Sequence, residues 1–167
     1  IGLACGMFIF MSFASITASQ CTDAVAERES GCKRQQLISG VNPMAYWSSN
    51  FCFDFAFYAT VPFAAVVAII YLFQVKPFSD HLSEFANLLL FWGMASTPFA
   101  YACSFIFARA ASANQMMVTL TTVVALVLIA MILLIENIGI TSIATPVRFM
   151  SMLLPNVCLG LSLWTFT

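Results

Sequence analysis

Charge is scarce in this sequence. Only 8% of its 167 residues are charged, against 62% that are hydrophobic. An ordinary soluble domain carries about a quarter charged residues, and so few charges cannot cover a water-facing surface. The composition excludes a soluble globular fold and places the chain in lipid. Neither sign of charge dominates, because the formal net charge is −1; this leaves no basic face for a nucleic acid. The single histidine, His81, stands in a polar loop with no second histidine to share a metal. The sequence has no G-x-x-x-x-G-K-[ST], no H-E-x-x-H and no G-x-S-x-G. It therefore offers no cradle for ATP phosphates, no zinc pair and no nucleophile elbow. No catalytic residue, metal ligand or cofactor site is assigned to this piece.

The six cysteines form no C-x-x-C pair, and four of them lie inside apolar runs. Small buried hydrophobes is the better reading of them than disulfides or a zinc site. There is no initiator methionine and no cleavable signal pattern. The chain begins within an apolar run and ends at Trp164-Thr165-Phe166-Thr167 without a polar tail, the expected look of a piece of a longer protein.

What the chain does have is long apolar runs. Crossing a hydrocarbon core takes ~20 residues of helix at about 1.5 Å each. Residues 1–24, 45–73, 85–108 and 114–136 meet that length. Pro62 and Thr97-Pro98 predict kinks inside the second and third runs, since proline removes a helical N–H. Gln74 to Glu84 reads as a loop, and Arg109 to Asn114 as a tight turn. The last run, 143–167, is interrupted by Pro146, Arg148 and Pro155-Asn156. A re-entrant helical hairpin fits it better than a straight span, provided protein neighbours bury its loose backbone. The expected fold is all-α and multi-pass, with four transmembrane helices, a short amphipathic surface helix and this hairpin.

The surface helix comes from a charged island between the first two runs. Glu27, Arg28, Glu29, Lys33 and Arg34 lie there within a few residues of one another. Glu29 and Lys33 stand at i,i+4 in the favourable order. Gly31 weakens the helix by ~1 kcal/mol relative to alanine. Ser39-Gly40 and Asn42-Pro43 are stop signals. A helix is expected over 25–41, lying on the membrane surface, whether separate from the first span or continuous with it. Arg28, Lys33, Arg34 and Arg109 share one side of the membrane, leaving Lys76 and Arg148 on the other. The positive-inside rule then makes 25–46 and 108–114 cytoplasmic. Asp54 is the one carboxylate well inside a run, about two turns beyond the interfacial Tyr46 and Trp47. A charge at such a depth is a functional hypothesis by default, but the nearby interface favours a structural role, by reaching the headgroups or pairing with a neighbouring helix.

The string Glu27-Arg28 … Lys33-Arg34-Gln35-Gln36-Leu37-Ile38-Ser39-Gly40-Val41 … Tyr46-Trp47-Ser48-Ser49-Asn50-Phe51 … Asp54 resembles the transmembrane domain of ABC transporters of subfamily A. Thr97-Pro98-Phe99-Ala100-Tyr101 … Ser104-Phe105-Ile106-Phe107 and Leu154-Pro155-Asn156-Val157-Cys158-Leu159-Gly160 are similar to two further family strings, in family order. Gly31 and Arg34 depart from the usual residues. The resemblance implies spans two to five of a six-span half-transporter, followed by an exofacial hairpin. It implies that 27–41 is a coupling helix seated on a nucleotide-binding domain outside this chain, in the same polypeptide, which uses ATP and Mg. Glu27, Arg28, Lys33, Arg34, Gln36, Ser39 and Gly40 would make or shape that contact. A second transmembrane half and membrane lipids are the other implied partners, and lipids or lipid-like molecules the substrates. Thr119 and Thr122 are candidates for the substrate path, while Asp54, Pro98, Pro155 and Gly160 are structural candidates. The alternatives are a channel or scaffold with no ATPase partner, and an intramembrane enzyme built around Asp54.

Overall fold

The structure, a computed structural model, describes residues 2–76, 78–138, 146–149 and 151–166, and all the regular structure among them is helical. Eight helices follow in chain order. They are α1 (Gly2–Glu29), α2 (Cys32–Ile38), α3 (Pro43–Tyr58), α4 (Ala64–Phe73), α5 (Leu82–Ser104), α6 (Ala110–Thr119), α7 (Ala125–Ile138) and α8 (Pro155–Phe166). A further helical stretch covers 146–149. Five-residue π turns, Ala59–Phe63 and Leu120–Val124, join α3 to α4 and α6 to α7.

α1 is the central helix, packing against α5, α6 and α8. Phe13 of α1 meets Tyr58 and Trp92 edge-on, with ring centroids 5.8 and 5.1 Å apart. These three belong to the larger core, with Phe85, Leu89 and Ile132. A second core toward the island gathers Ala18, Cys21, Val25, Cys103 and Met117. The α3–α4 rod packs on the bundle mainly along α5, with Tyr58 reaching Phe13 of α1 and Tyr46 reaching Glu27. Its other faces present Phe53, Phe57, Ile69, Leu72 and Phe73 outward, as suits a surface solvated by lipid. Backbone polar groups must be satisfied internally in such a setting. Ser12 and Thr22 donate back to the carbonyls of Phe8 and Ala18 within their own helix, so their hydroxyls are satisfied too.

Three rods are long and apolar enough to cross a membrane, judged by length and composition: Ala4–Glu29, Pro43–Phe73 and Ala110–Ile135. The 23-residue α5, expected as a fourth span, falls short of that standard among the described residues. The cause is composition: Asn87, Pro98 and Tyr101 lower its hydropathy, together with residues used in packing. Trp92, Ser96, Thr97 and Ser104 are all buried against other helices, so this helix carries polar groups where a lipid-facing helix would carry hydrocarbon.

Several boundaries differ from expectation. The island is not one helix over 25–41: α1 runs on to Glu29, and Gly31 adopts a left-handed φ of 79° before α2 begins. The tight turn expected over 109–114 lies at Phe105 to Arg109 instead, with residues 110–114 already helical. Pro62 sits in a π turn, which absorbs its missing N–H, while Pro98 is carried inside α5. Of the expected hairpin over 143–167, residues 143–145, 150 and 167 lie outside the described residues. Pro155 opens α8 at its first position, where the absent N–H costs nothing.

Candidate functional site

The island lies at one end of the bundle. Arg28, in the last turn of α1, donates to the carbonyl of Ser104 at 3.0 Å and also to that of Phe107. The last carbonyls of a helix have no partner inside it, and a cation there complements the dipole. Glu29, the next residue, accepts the Ala110 N–H at 2.9 Å. That amide is the first of α6 and lacks an intrahelical partner for the same reason. Two consecutive side chains thus hold both sides of the Phe105–Arg109 turn, one with each sign of charge.

Beyond Gly31 the Lys33 ammonium lies among three rings. It is 4.0 Å from the Trp47 centroid, 5.2 Å from Tyr46 and 5.4 Å from Phe105, within cation–π range of all three. Burial pushes Lys33 below the ordinary lysine value; Arg28 adds to the shift, and Glu27 opposes it. The Tyr46 hydroxyl donates to the Glu27 carboxylate, and the Tyr101 hydroxyl to the Asp54 carboxylate. Trp47 also packs against Tyr46, Tyr101 and Phe105 at 5.2, 5.3 and 5.8 Å. Behind these rings is a cleft of about 530 Å³ lined by Asp23, Glu27, Asn50, Phe53, Asp54 and Tyr101. Among the described residues, no group of three His, Cys, Asp or Glu side chains is arranged to hold a metal.

The remaining island residues face outward. Arg34, Gln36, Ser39 and Gly40 are exposed, and no residue of α2 is buried. Ser39 donates to the Gln36 carbonyl at 2.7 Å, and Gly40 takes a φ of 96° to turn the chain. Asn42 then caps α3 by accepting the Met44 N–H at 2.9 Å. Ile38 and Met44 are 75% and 80% exposed, so the outward side of this segment, with Arg34, is both apolar and basic.

The structure therefore separates the island residues into two sets. Glu27, Arg28 and Lys33 are engaged inside the bundle, whereas Arg34 and Gln36 point away from it. The expected Glu29–Lys33 pair is not made, because Gly31 breaks the helix between them and each finds another partner.

Toward the bundle centre, Asn156 of α8 accepts from the Trp92 indole N–H at 3.1 Å and donates to the Thr121 carbonyl at 3.0 Å. Thr121 donates in turn to the carbonyls of Met117 and Ala14, at 2.6 and 3.3 Å. This relay joins α1, α5, α8 and the second π turn. Of the two threonines singled out from sequence, Thr119 is exposed and donates to the Gln115 carbonyl at 2.9 Å. Thr122 is buried and donates to the Val118 carbonyl at 2.5 Å. Gly160 packs α8 against Ile129 and Phe10, where an added Cβ would overlap Ile129. Neither Trp92 nor Asn156 was singled out for a role by sequence reasoning. The available signal was an amide directly after Pro155 in an otherwise apolar run.

The ABC-2 family transporter protein family matches residues 1–164 of the chain. The ABC transporter ced-7 of Caenorhabditis elegans is 26% identical over 163 residues, which is 94% of this chain and 9% of that protein. The retinal-specific phospholipid-transporting ATPase ABCA4 of Bos taurus is 39% identical over 99 residues, 58% of this chain and 4% of that protein. The glucosylceramide transporter ABCA12 of Homo sapiens is 33% identical over 109 residues, 64% of this chain and 4% of that protein. The aligned parts are thus a small fraction of each relative's length.

Proposed function

This chain belongs to the ABC-2 family of transporter membrane domains, and from that premise we propose that it is the membrane part of an ATP-driven transporter of lipids or lipid-like molecules. In this reading α5 serves as a fourth span, shielded from lipid by its neighbours. The island faces the cytoplasm and seats a nucleotide-binding domain of the same polypeptide, where ATP and Mg are held. A second transmembrane half completes the path, and Thr122 is a candidate to line it.

The observation that carries the reading is the division of labour in the island. Arg28 and Glu29 fix the end of α1 to the α5–α6 turn, and Lys33 fixes the start of α2 to α3 and α5. The outer face of α2, with Arg34 and Gln36, is left open to a partner. A push on that face reaches several spans at once without deforming the island. Transport itself requires no catalytic side chain here, only a route along apolar surface.

Reconstitution of the full-length transporter in vesicles tests this. ATP-dependent movement of a labelled phospholipid between leaflets is expected. Arg34→Glu with Gln36→Ala should leave expression intact while uncoupling ATP hydrolysis from movement. Normal coupling in that variant, or no ATP-dependent movement by the unmodified protein, would overturn the proposal.

A further inference from the structure

The rings around Lys33 form a cation site whose present occupant belongs to the chain itself. Three aromatic faces converge on one ammonium, at 4.0, 5.2 and 5.4 Å from their centroids. The walls are held independently of that occupant. Tyr46 is anchored through its hydroxyl on Glu27, and Trp47 rests against Tyr101, itself anchored on Asp54. The outer wall, Phe105, is 63% exposed, so the cage opens on that side. It sits where α3 begins and α5 ends, the level at which aromatic residues meet lipid headgroups.

We propose that this cage is an exchangeable binding site for the quaternary ammonium headgroup of a phospholipid, with Lys33 as the resident competitor. The chemistry favours the exchange. A primary ammonium is compact and strongly hydrated, and gives up that hydration to sit among rings. A trimethylammonium spreads its charge over methyl groups, and stacked aromatic faces are the common means of recognising it. Lys33 is also tethered to α2, which is otherwise unburied. When a headgroup takes the cage, Lys33 leaves, and α2 loses its hold on α3 and α5. Occupancy of the cage thereby becomes readable at the outer face of α2. This proposal rests on the lipid-transport reading and adds the headgroup class and its effect on the coupling segment.

The test is photolabelling of the full-length transporter in phosphatidylglycerol vesicles without ATP, using a phosphatidylcholine analogue with a diazirine on its quaternary ammonium. Because no ATP is added, the result stands apart from the translocation assay. Labelling is expected within residues 44–54. Lys33→Ala should raise it by about two- to fivefold, the range of an exposed cation–π contact, and Trp47→Leu and Phe105→Leu should lower it by a similar factor. Variants that merely disturb the fold would shift labelling in one direction, so opposite signs carry the proposal. Unlabelled phosphatidylcholine should compete, and phosphatidylethanolamine should compete poorly. Equal labelling in all variants, or the same direction of change in all, would overturn the cage. Equal competition by phosphatidylethanolamine would overturn the headgroup class. Equal competition by tetramethylammonium chloride would show a free-cation site and overturn the lipid as ligand.

Discussion

The guanidinium of Arg28 donates to the carbonyl of Ser104 at 3.0 Å across 76 positions of sequence. It also reaches Phe107, so a single side chain closes the end of α5. A hydrogen bond from a charged group contributes about 1.5–3 kcal/mol, and removing it takes the side-chain donor from the Phe107 carbonyl and leaves the Ser104 carbonyl only the Phe107 N–H at 3.4 Å. Arg28→Gln should therefore destabilise the membrane domain by about 2 kcal/mol, seen as a lower midpoint of thermal unfolding in detergent. Lysine at this position should recover only part of the loss, because its ammonium is more strongly hydrated than a guanidinium and sits on a stem of different length and shape. A full-strength Gln variant would show that the two contacts carry no weight.

Glu29 acts on the other side of the same turn, accepting the Ala110 N–H at 2.9 Å. Caps of this kind contribute about 0.5–2 kcal/mol. Glu29→Ala should cost roughly 1 kcal/mol, with more exchange at the first amides of α6 in hydrogen-exchange mass spectrometry. Because Arg28 and Glu29 hold one turn between them, the double variant should lose less than the sum of the singles. Strict additivity would mean that the two ends move independently.

Local punctuation was readable in advance. Gly40 turns the chain at positive φ, as its reading as a stop signal implied; Asn42-Pro43, read only as a stop, also opens α3 with a side-chain cap, and Pro155, read as an interruption, opens α8. Each of these effects depends on one residue's own backbone chemistry. The island's division was not readable. A glycine costing ~1 kcal/mol in a helix is compatible with either a weak helix or a break. The alternative partners of Glu29 and Lys33, at Ala110 and Trp47, lie outside any local window. Nor could α5 be recognised as polar for packing reasons, since its buried Trp92 and Thr97 look from sequence like breaks in an apolar run. The Thr121 carbonyl that Asn156 reaches lies in a π turn, and apolar periodicity gives no sign of such a turn.

That relay yields a third expectation. Asn156 is 2% exposed and uses both ends of its amide, accepting from Trp92 and donating to Thr121. Asn156→Leu fills a similar volume but leaves the indole N–H and the carbonyl without partners. Each unsatisfied buried group costs about 1–3 kcal/mol. Asn156→Asp, if ionised, buries a charge and sets a carboxylate oxygen against the Thr121 carbonyl, so it should also destabilise. Lowered unfolding midpoints for both variants check the relay; a leucine variant as stable as the native protein would remove its energetic importance.

Gly93 sets how closely α5 approaches the α3–α4 rod. The Tyr58 ring lies over it so tightly that an added Cβ would overlap the ring, and the Tyr58 hydroxyl donates to the Leu89 carbonyl at 2.6 Å just beyond. Tyr58 is 1% exposed and packed against Phe13 and Trp92, so it has no room to withdraw. Overpacking of this kind costs about 1–3 kcal/mol. Gly93→Ala should lower the unfolding midpoint accordingly, despite alanine's better helix propensity of about 1 kcal/mol. The steric cause can be separated from any other by a second change. Tyr58→Leu alone should destabilise, through the lost ring and the lost hydrogen bond. In the Tyr58→Leu background, Gly93→Ala should cost little or become stabilising, because the ring it strikes is gone. A penalty for Gly93→Ala that survives the removal of Tyr58 would place its cause elsewhere in α5.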